Sequence, residues 1–165
     1  MLSRNSAIVR LSNFFNRVPG WCIISCGILW KFGVDIVFSS LASEQIGPTH
    51  VDNEYFYVFI GVFLAPFIET IIFQFLPIEA FEMISLKVSG KKNPIYAAFF
   101  SAILFGCAHS YSLLSVLATC VSGLALSSTY LIFKHRKHSA GYGFIMTMVL
   151  HFLVNLIINT LRFLL

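Results

Sequence analysis

Charge is scarce in this sequence. Asp, Glu, Lys and Arg make up 11% of its 165 residues, where a soluble domain carries about 25%. That shortage excludes a water-facing surface of ordinary polarity. Also missing are the alternating segments of about ten residues that mark membrane barrels, so helices are left as the way to satisfy a backbone in lipid. No Gly-x-Ser-x-Gly elbow presents a nucleophilic serine. No His-Glu-x-x-His pair, phosphate loop or aromatic-basic nucleic-acid surface is present either. Cysteine is limited to four residues, Cys22, Cys26, Cys107 and Cys120, all inside apolar runs, where cysteine acts as a small hydrophobe. Repeats and low-complexity tracts are absent.

What is abundant is apolar bulk: 58% hydrophobic residues, eighteen of them Phe, with a mean hydropathy of +0.84. A membrane-spanning helix needs about 20 apolar residues. Five runs qualify or nearly so, over Trp21–Ala42, Tyr55–Ile78, Pro94–His109, Leu113–Phe133 and Gly141–Leu164. The expectation is an all-α bundle of about five spans, with four to six as the range. Residues 1–20 are expected to form an amphipathic cytoplasmic lead-in, with Ile8, Leu11, Phe14 and Phe15 on one face. Its apolar run starts too late and continues too far for a cleaved signal peptide. Residues 21–165 are expected to form a single transmembrane domain.

The net charge of +4 is split among loops rather than gathered into a nucleic-acid patch. Arg4, Arg10 and Arg17 precede the first run, Lys87, Lys91 and Lys92 follow the second, and Lys134, Arg136 and Lys137 follow the fourth. The loop after the first run is acidic, with Glu44, Asp52 and Glu54. This alternation places the N-terminus in the cytoplasm. The expected partners are the bilayer and a peptide or protein substrate, not nucleic acid.

An ionisable group at mid-bilayer costs about 2.5–3.5 kcal/mol on insertion scales, so each one needs a partner or a use. Lys31 and Asp35 stand four apart on one helix and can neutralise each other. Glu79 and Glu82 lie at the inner end of the second run, where solvation is expected. Glu69 has no cation three or four residues away. His109, with Phe105 one turn before it, closes the third run, and Gly106 and Ala108 between them permit close helix approach. His151 opens His151-Phe152-Leu153-Val154-Asn155, which sets the imidazole and the amide one turn apart. His50, His135 and His138 fall in loops and are expected to carry no chemistry.

One Glu and two His form the ligand set of a catalytic zinc site with an open position. The same three can hold a water with no metal. Glu69 is then the general base, the imidazoles orient the water, and the Asn155 amide suits a developing oxyanion. Together these are the parts of a peptide-bond hydrolase. The cofactor is thus a divalent metal such as zinc, or none, and the residues leave that choice open. A small transporter is the remaining alternative, although neither paired repeats nor broken helices are evident.

At these residues the sequence resembles the CAAX protease and bacteriocin-processing family (CPBP, also called Abi), which includes the CAAX prenyl endopeptidases. The family pattern runs Glu-Glu-x-x-x-Arg, then Phe-x-x-x-His, then His-x-x-x-Asn, each on a membrane helix. Here the segments are Glu69 to Gln74, Phe105 to His109 and His151 to Asn155, within a core of about residues 55–160. The second Glu is replaced by Thr70 and the Arg by Gln74, which turns an ion pair into an expected Thr–Gln hydrogen bond. Glu-Thr-x-x-Phe-Gln resembles a divergent bacterial subgroup. The resemblance implies intramembrane (metallo)protease activity in a bacterial plasma membrane, with Glu69, His109, His151 and Asn155 catalytic and Thr70, Gln74 and Phe105 supporting. It also allows a non-proteolytic immunity or membrane partner protein.

Helical rise exposes one difficulty. Glu69 lies about 14 Å above Ile78 and His151 about 15 Å above Gly141, but His109 lies about 22 Å above Pro94. The three meet only if the third helix starts deeper than the others. Residues Ser110 to Ser112 are then expected at depth, lining a cavity.

Overall fold

The computed structural model describes residues 14, 17–41 and 58–164. Most of the expected lead-in, and the loop carrying Glu44, Asp52 and Glu54, lie outside the described residues. Among the described residues there is no strand. The chain forms α1 (Gly20–Leu41), α2 (Ile60–Ser89), α3 (Pro94–Ala108), α4 (Leu113–Lys137) and α5 (Ala140–Leu164). All but α3 are long and apolar enough to cross a membrane, and α3 has 15 residues. The apolar faces turn outward: Trp21, Leu29, Ile36, Ile72, Ile95 and Ile103 are all more than half exposed or close to it. Such a surface is suited to acyl chains.

The central helix is α4, which packs against α3, α5 and α1. Small residues set these distances. A Cβ at Gly106 would stand 2.1 Å from Cys120 Sγ and 2.9 Å from the Val116 carbonyl, and one at Gly143 would stand 2.7 Å from the Tyr130 carbonyl. Two apolar cores result. Ile23, Ile24, Phe105, Leu126, Leu150 and Val154 fill one, and Ile78, Ala97, Ala98, Tyr130 and Leu131 the other. The cysteines are free, and Lys31 pairs with Asp35.

The second helix is irregular in a way its prolines explain. Residues Ile60–Leu64 and Thr70–Phe75 are π-helical, separated by the short α-helical turn Ala65–Glu69. Ala65 N–H reaches the Ile60 carbonyl, and Leu76 N–H reaches the Ile71 carbonyl, five residues back in each case. Each wide turn ends two residues before a proline, Pro66 or Pro77. A proline ring clashes with the carbonyl four residues back and donates nothing to it; widening the turn makes room without a sharp kink. The freed carbonyls are taken by neighbouring helices. Ser101 Oγ on α3 donates to the Phe73 carbonyl, four residues before Pro77, and Asn155 Nδ2 on α5 donates to Gly61, five before Pro66.

Two expectations need correction. The second helix was expected to end at Ile78 but continues to Ser89, where Gly90 (φ 68°) closes it in a left-handed cap. Past Ile78, buried Glu82 and half-buried Glu79 are both paired with lysine. Glu82 is 1% exposed, with Lys134 Nζ at 2.8 Å and Lys92 Nζ at 3.3 Å. Glu79 pairs with Lys134 and accepts from Tyr130 Oη at 2.7 Å. These contacts, with Arg136 donating to the Val18 carbonyl at 2.6 Å, gather Lys92, Lys134 and Arg136 at one end of the bundle.

Candidate active site

The long α2 removes the depth problem. Asn93 Nδ2 donates to Ser85 Oγ at 2.8 Å, so α3 starts level with Ser85, about 10 Å beyond Ile78 along α2. Its 15 residues then deliver His109 to the level of Glu69. The helix stops there because His109 is non-helical (φ −108°, ψ 48°) and Ser112 caps α4 by accepting from Ser115 N–H at 3.1 Å. Ser115 Oγ donates to the His109 carbonyl at 3.0 Å and ties the turn to α4. Ser110 to Ser112 are exposed, with Tyr111 at 76%. The turn faces outward instead of lining a cavity, and satisfies part of its backbone through these serines.

Three helices bring one carboxylate and two imidazoles together. Glu69, half-buried between the π-helical turns of α2, has Oε1 3.9 Å from His109 Nε2 and Oε2 3.4 Å from His151 Nε2. Phe105 is buried among them, its ring edge-on to His109 at 4.7 Å, to His151 at 5.9 Å and to Phe73 at 5.6 Å. His109 Nδ1 lies 2.8 Å from the Phe105 carbonyl. A carbonyl can only accept, so Nδ1 carries a hydrogen, and in the neutral imidazole Nε2 turns a lone pair toward Glu69. The carboxylate oxygen and that nitrogen are both acceptors and do not bond each other. A water placed about 2.8 Å from each, to one side of the line joining them, would donate to both.

The supporting residues divide. Thr70 is fully buried, with Oγ1 3.3 Å from His151 Nδ1. The expected Thr70–Gln74 hydrogen bond is not formed. The hydroxyl has the imidazole as partner, and Gln74, also fully buried, has no hydrogen-bond partner for Nε2 or Oε1 among the described residues. Asn155 sits one turn beyond His151 and spends one amide hydrogen on Gly61. As for metal ligation by Glu69, His109 and His151, no three His, Cys, Asp or Glu side chains among the described residues are grouped so as to hold a metal ion. Sequence reading missed Ser112 and Ser115, although Ser-x-x-Ser before an apolar run carries the N-cap signature that could have shown them. It missed Ser101 too, which the prolines of α2 called for.

Fold and site define a helical membrane protein with a carboxylate–imidazole centre between its helices. Residues 52–157, more than half of the chain, match the family described as type II CAAX prenyl endopeptidase Rce1-like. The chain belongs to that family, within the broader CPBP group. No curated protein and no solved structure matches it.

Proposed function

We propose that this chain is an intramembrane endopeptidase hydrolysing a peptide bond of a membrane-associated substrate. The observation that carries this reading is the meeting of Glu69 with His109 and His151, at 3.9 and 3.4 Å, from three separate helices. Glu69 takes a proton from the water it shares with His109, and the water oxygen attacks the carbonyl carbon. Taking that proton neutralises Glu69 and frees the His151 Nε2–H from it, and the oxyanion that forms accepts from that N–H and from the second amide hydrogen of Asn155. Collapse breaks the C–N bond, and Glu69 returns its proton to the leaving amine. The family description makes prenylated peptides ending in Cys-aliphatic-aliphatic-X the first substrates to try. The end of the bundle carrying Lys92, Lys134 and Arg136 would face the cytoplasm of a bacterial plasma membrane.

The test is cleavage of a quenched-fluorophore farnesylated peptide, and of an unprenylated apolar peptide, by purified wild type, Glu69→Gln and His151→Ala. Wild-type turnover lost in both variants supports the reading. Equal turnover in all three removes it and leaves a non-proteolytic partner protein. Chelator treatment and metal analysis of the same samples test the metal-free mechanism.

A further inference from the structure

The hydroxyls of Ser89, Thr119, Ser122, Thr147 and Thr160 donate to the carbonyl four residues back in their own helix. Others, such as those of Ser101 and Ser115, join separate segments. The Thr70 hydroxyl is of the second kind and is turned across the helix interface to His151 Nδ1 at 3.3 Å. Both groups are buried.

We propose that Thr70 is a positioning residue that holds His151 as the Nε2-protonated tautomer, opposite to that of His109. A hydroxyl can donate or accept, and the carboxylate facing Nε2 selects the arrangement in which Thr70 donates to Nδ1 and the neutral imidazole keeps its single hydrogen on Nε2. That nitrogen faces Glu69 Oε2 at 3.4 Å, where an N–H is attractive and a lone pair would oppose a carboxylate. The hydrogen-bond partners thereby sort two chemically identical side chains. The Phe105 carbonyl makes His109 an acceptor for water, and the Thr70 hydroxyl makes His151 a donor. The consequence for hydrolysis rests on the endopeptidase reading above, since a donor at His151 is what an oxyanion requires. The tautomer itself does not depend on that reading.

The experiment has two arms for that reason. In the first, wild type labelled with ¹⁵N-histidine is examined by NMR in detergent, with the His151 signals assigned by their loss in His151→Asn. Nε2 of His151 should be protonated and Nδ1 bare, Thr70→Val should mix the tautomers, and Thr70→Ser should restore the wild-type pattern. Protonated Nδ1 in the wild type overturns the proposal, whether or not any variant folds. So does an unchanged pattern in Thr70→Val. The second arm uses the farnesylated peptide: kcat should fall about 10- to 100-fold in Thr70→Val and recover in Thr70→Ser, with KM changed by less than about twofold. Wild-type kcat in Thr70→Val would sever the tautomer from catalysis. A wild type that cleaves nothing would count against the endopeptidase reading, while the NMR result still decides the role of Thr70.

Discussion

The helix α2 holds carboxylates in two settings, and the contrast separates a fastening from a reactive site. At its C-terminal end Glu79 and Glu82 meet Lys134, with Lys92 beside Glu82 and Tyr130 beside Glu79. Opposite charge answers charge there, and the pairs lock α2 to α4. Toward the other end Glu69 meets, among the described residues, imidazoles only. A neutral imidazole satisfies a carboxylate through a hydrogen bond, or shares a water with it, without cancelling its charge. A base must remain free to take a proton, and only the second setting leaves it free. Burial alone does not distinguish them: Glu82 is the more buried, at 1% against 25% for Glu69.

The largest expected effect comes from removing the free carboxylate. Glu69→Gln should lower peptide cleavage about 1000-fold, in the range of general-base removal, while thermal unfolding in detergent stays close to wild type. A more pointed variant carries the lysine chemistry of the fastening into the site. His109→Lys places an ammonium beside Glu69, so the carboxylate should be neutralised as Glu82 is. Cleavage should then be lost with unfolding temperature held or raised. An active His109→Lys would mean that freedom from a cation is not what sets Glu69 apart.

The complementary variant breaks the fastening. Lys134→Met leaves half-buried Glu79 without its cation and buried Glu82 with Lys92 alone, and removing one partner of a buried pair costs about 3–5 kcal/mol. The unfolding midpoint should fall accordingly, and adding Glu82→Gln should recover part of the loss. Cleavage per folded molecule should stay within about twofold of wild type. Loss of activity out of proportion to loss of fold would show that the lysine–glutamate cluster also shapes the site.

The limits of sequence reading fall along this same contrast. The helices, the order of Glu69, His109 and His151, and the pairing of Lys31 with Asp35 were legible because each depends on one helix at a time. Glu79 and Glu82 were misjudged because their partner Lys134 stands two helices later. Depth along one helix says nothing about the register between helices. The same blindness hid the Thr70–His151 contact, since a Thr followed four residues later by Gln looks like a local pair. Ser101 and Asn155 show an intermediate case. Pro66 and Pro77 announced that carbonyls would be orphaned, and a serine and an asparagine on apolar helices were available to serve them, but only coordinates join the two halves.

Asn155 supplies the smallest effect and the finest discrimination. Its amide fills the Gly61 carbonyl that Pro66 cannot serve, so Asn155→Leu should cost about 1–3 kcal/mol of stability by leaving a polar group unmet. Pro66→Ala supplies an N–H five residues after Gly61, in the register that Ala65 already uses with Ile60. In that background Asn155→Leu should cost less, with a coupling of about 1 kcal/mol across the double-mutant cycle. The cycle is read by unfolding, where an oxyanion contact leaves no trace, and again by cleavage, where it does. If stability couples and cleavage falls in both backgrounds, the two amide hydrogens have separate uses. If the stability terms simply add, Gly61 does not need Asn155, and the amide belongs to the reactive setting alone.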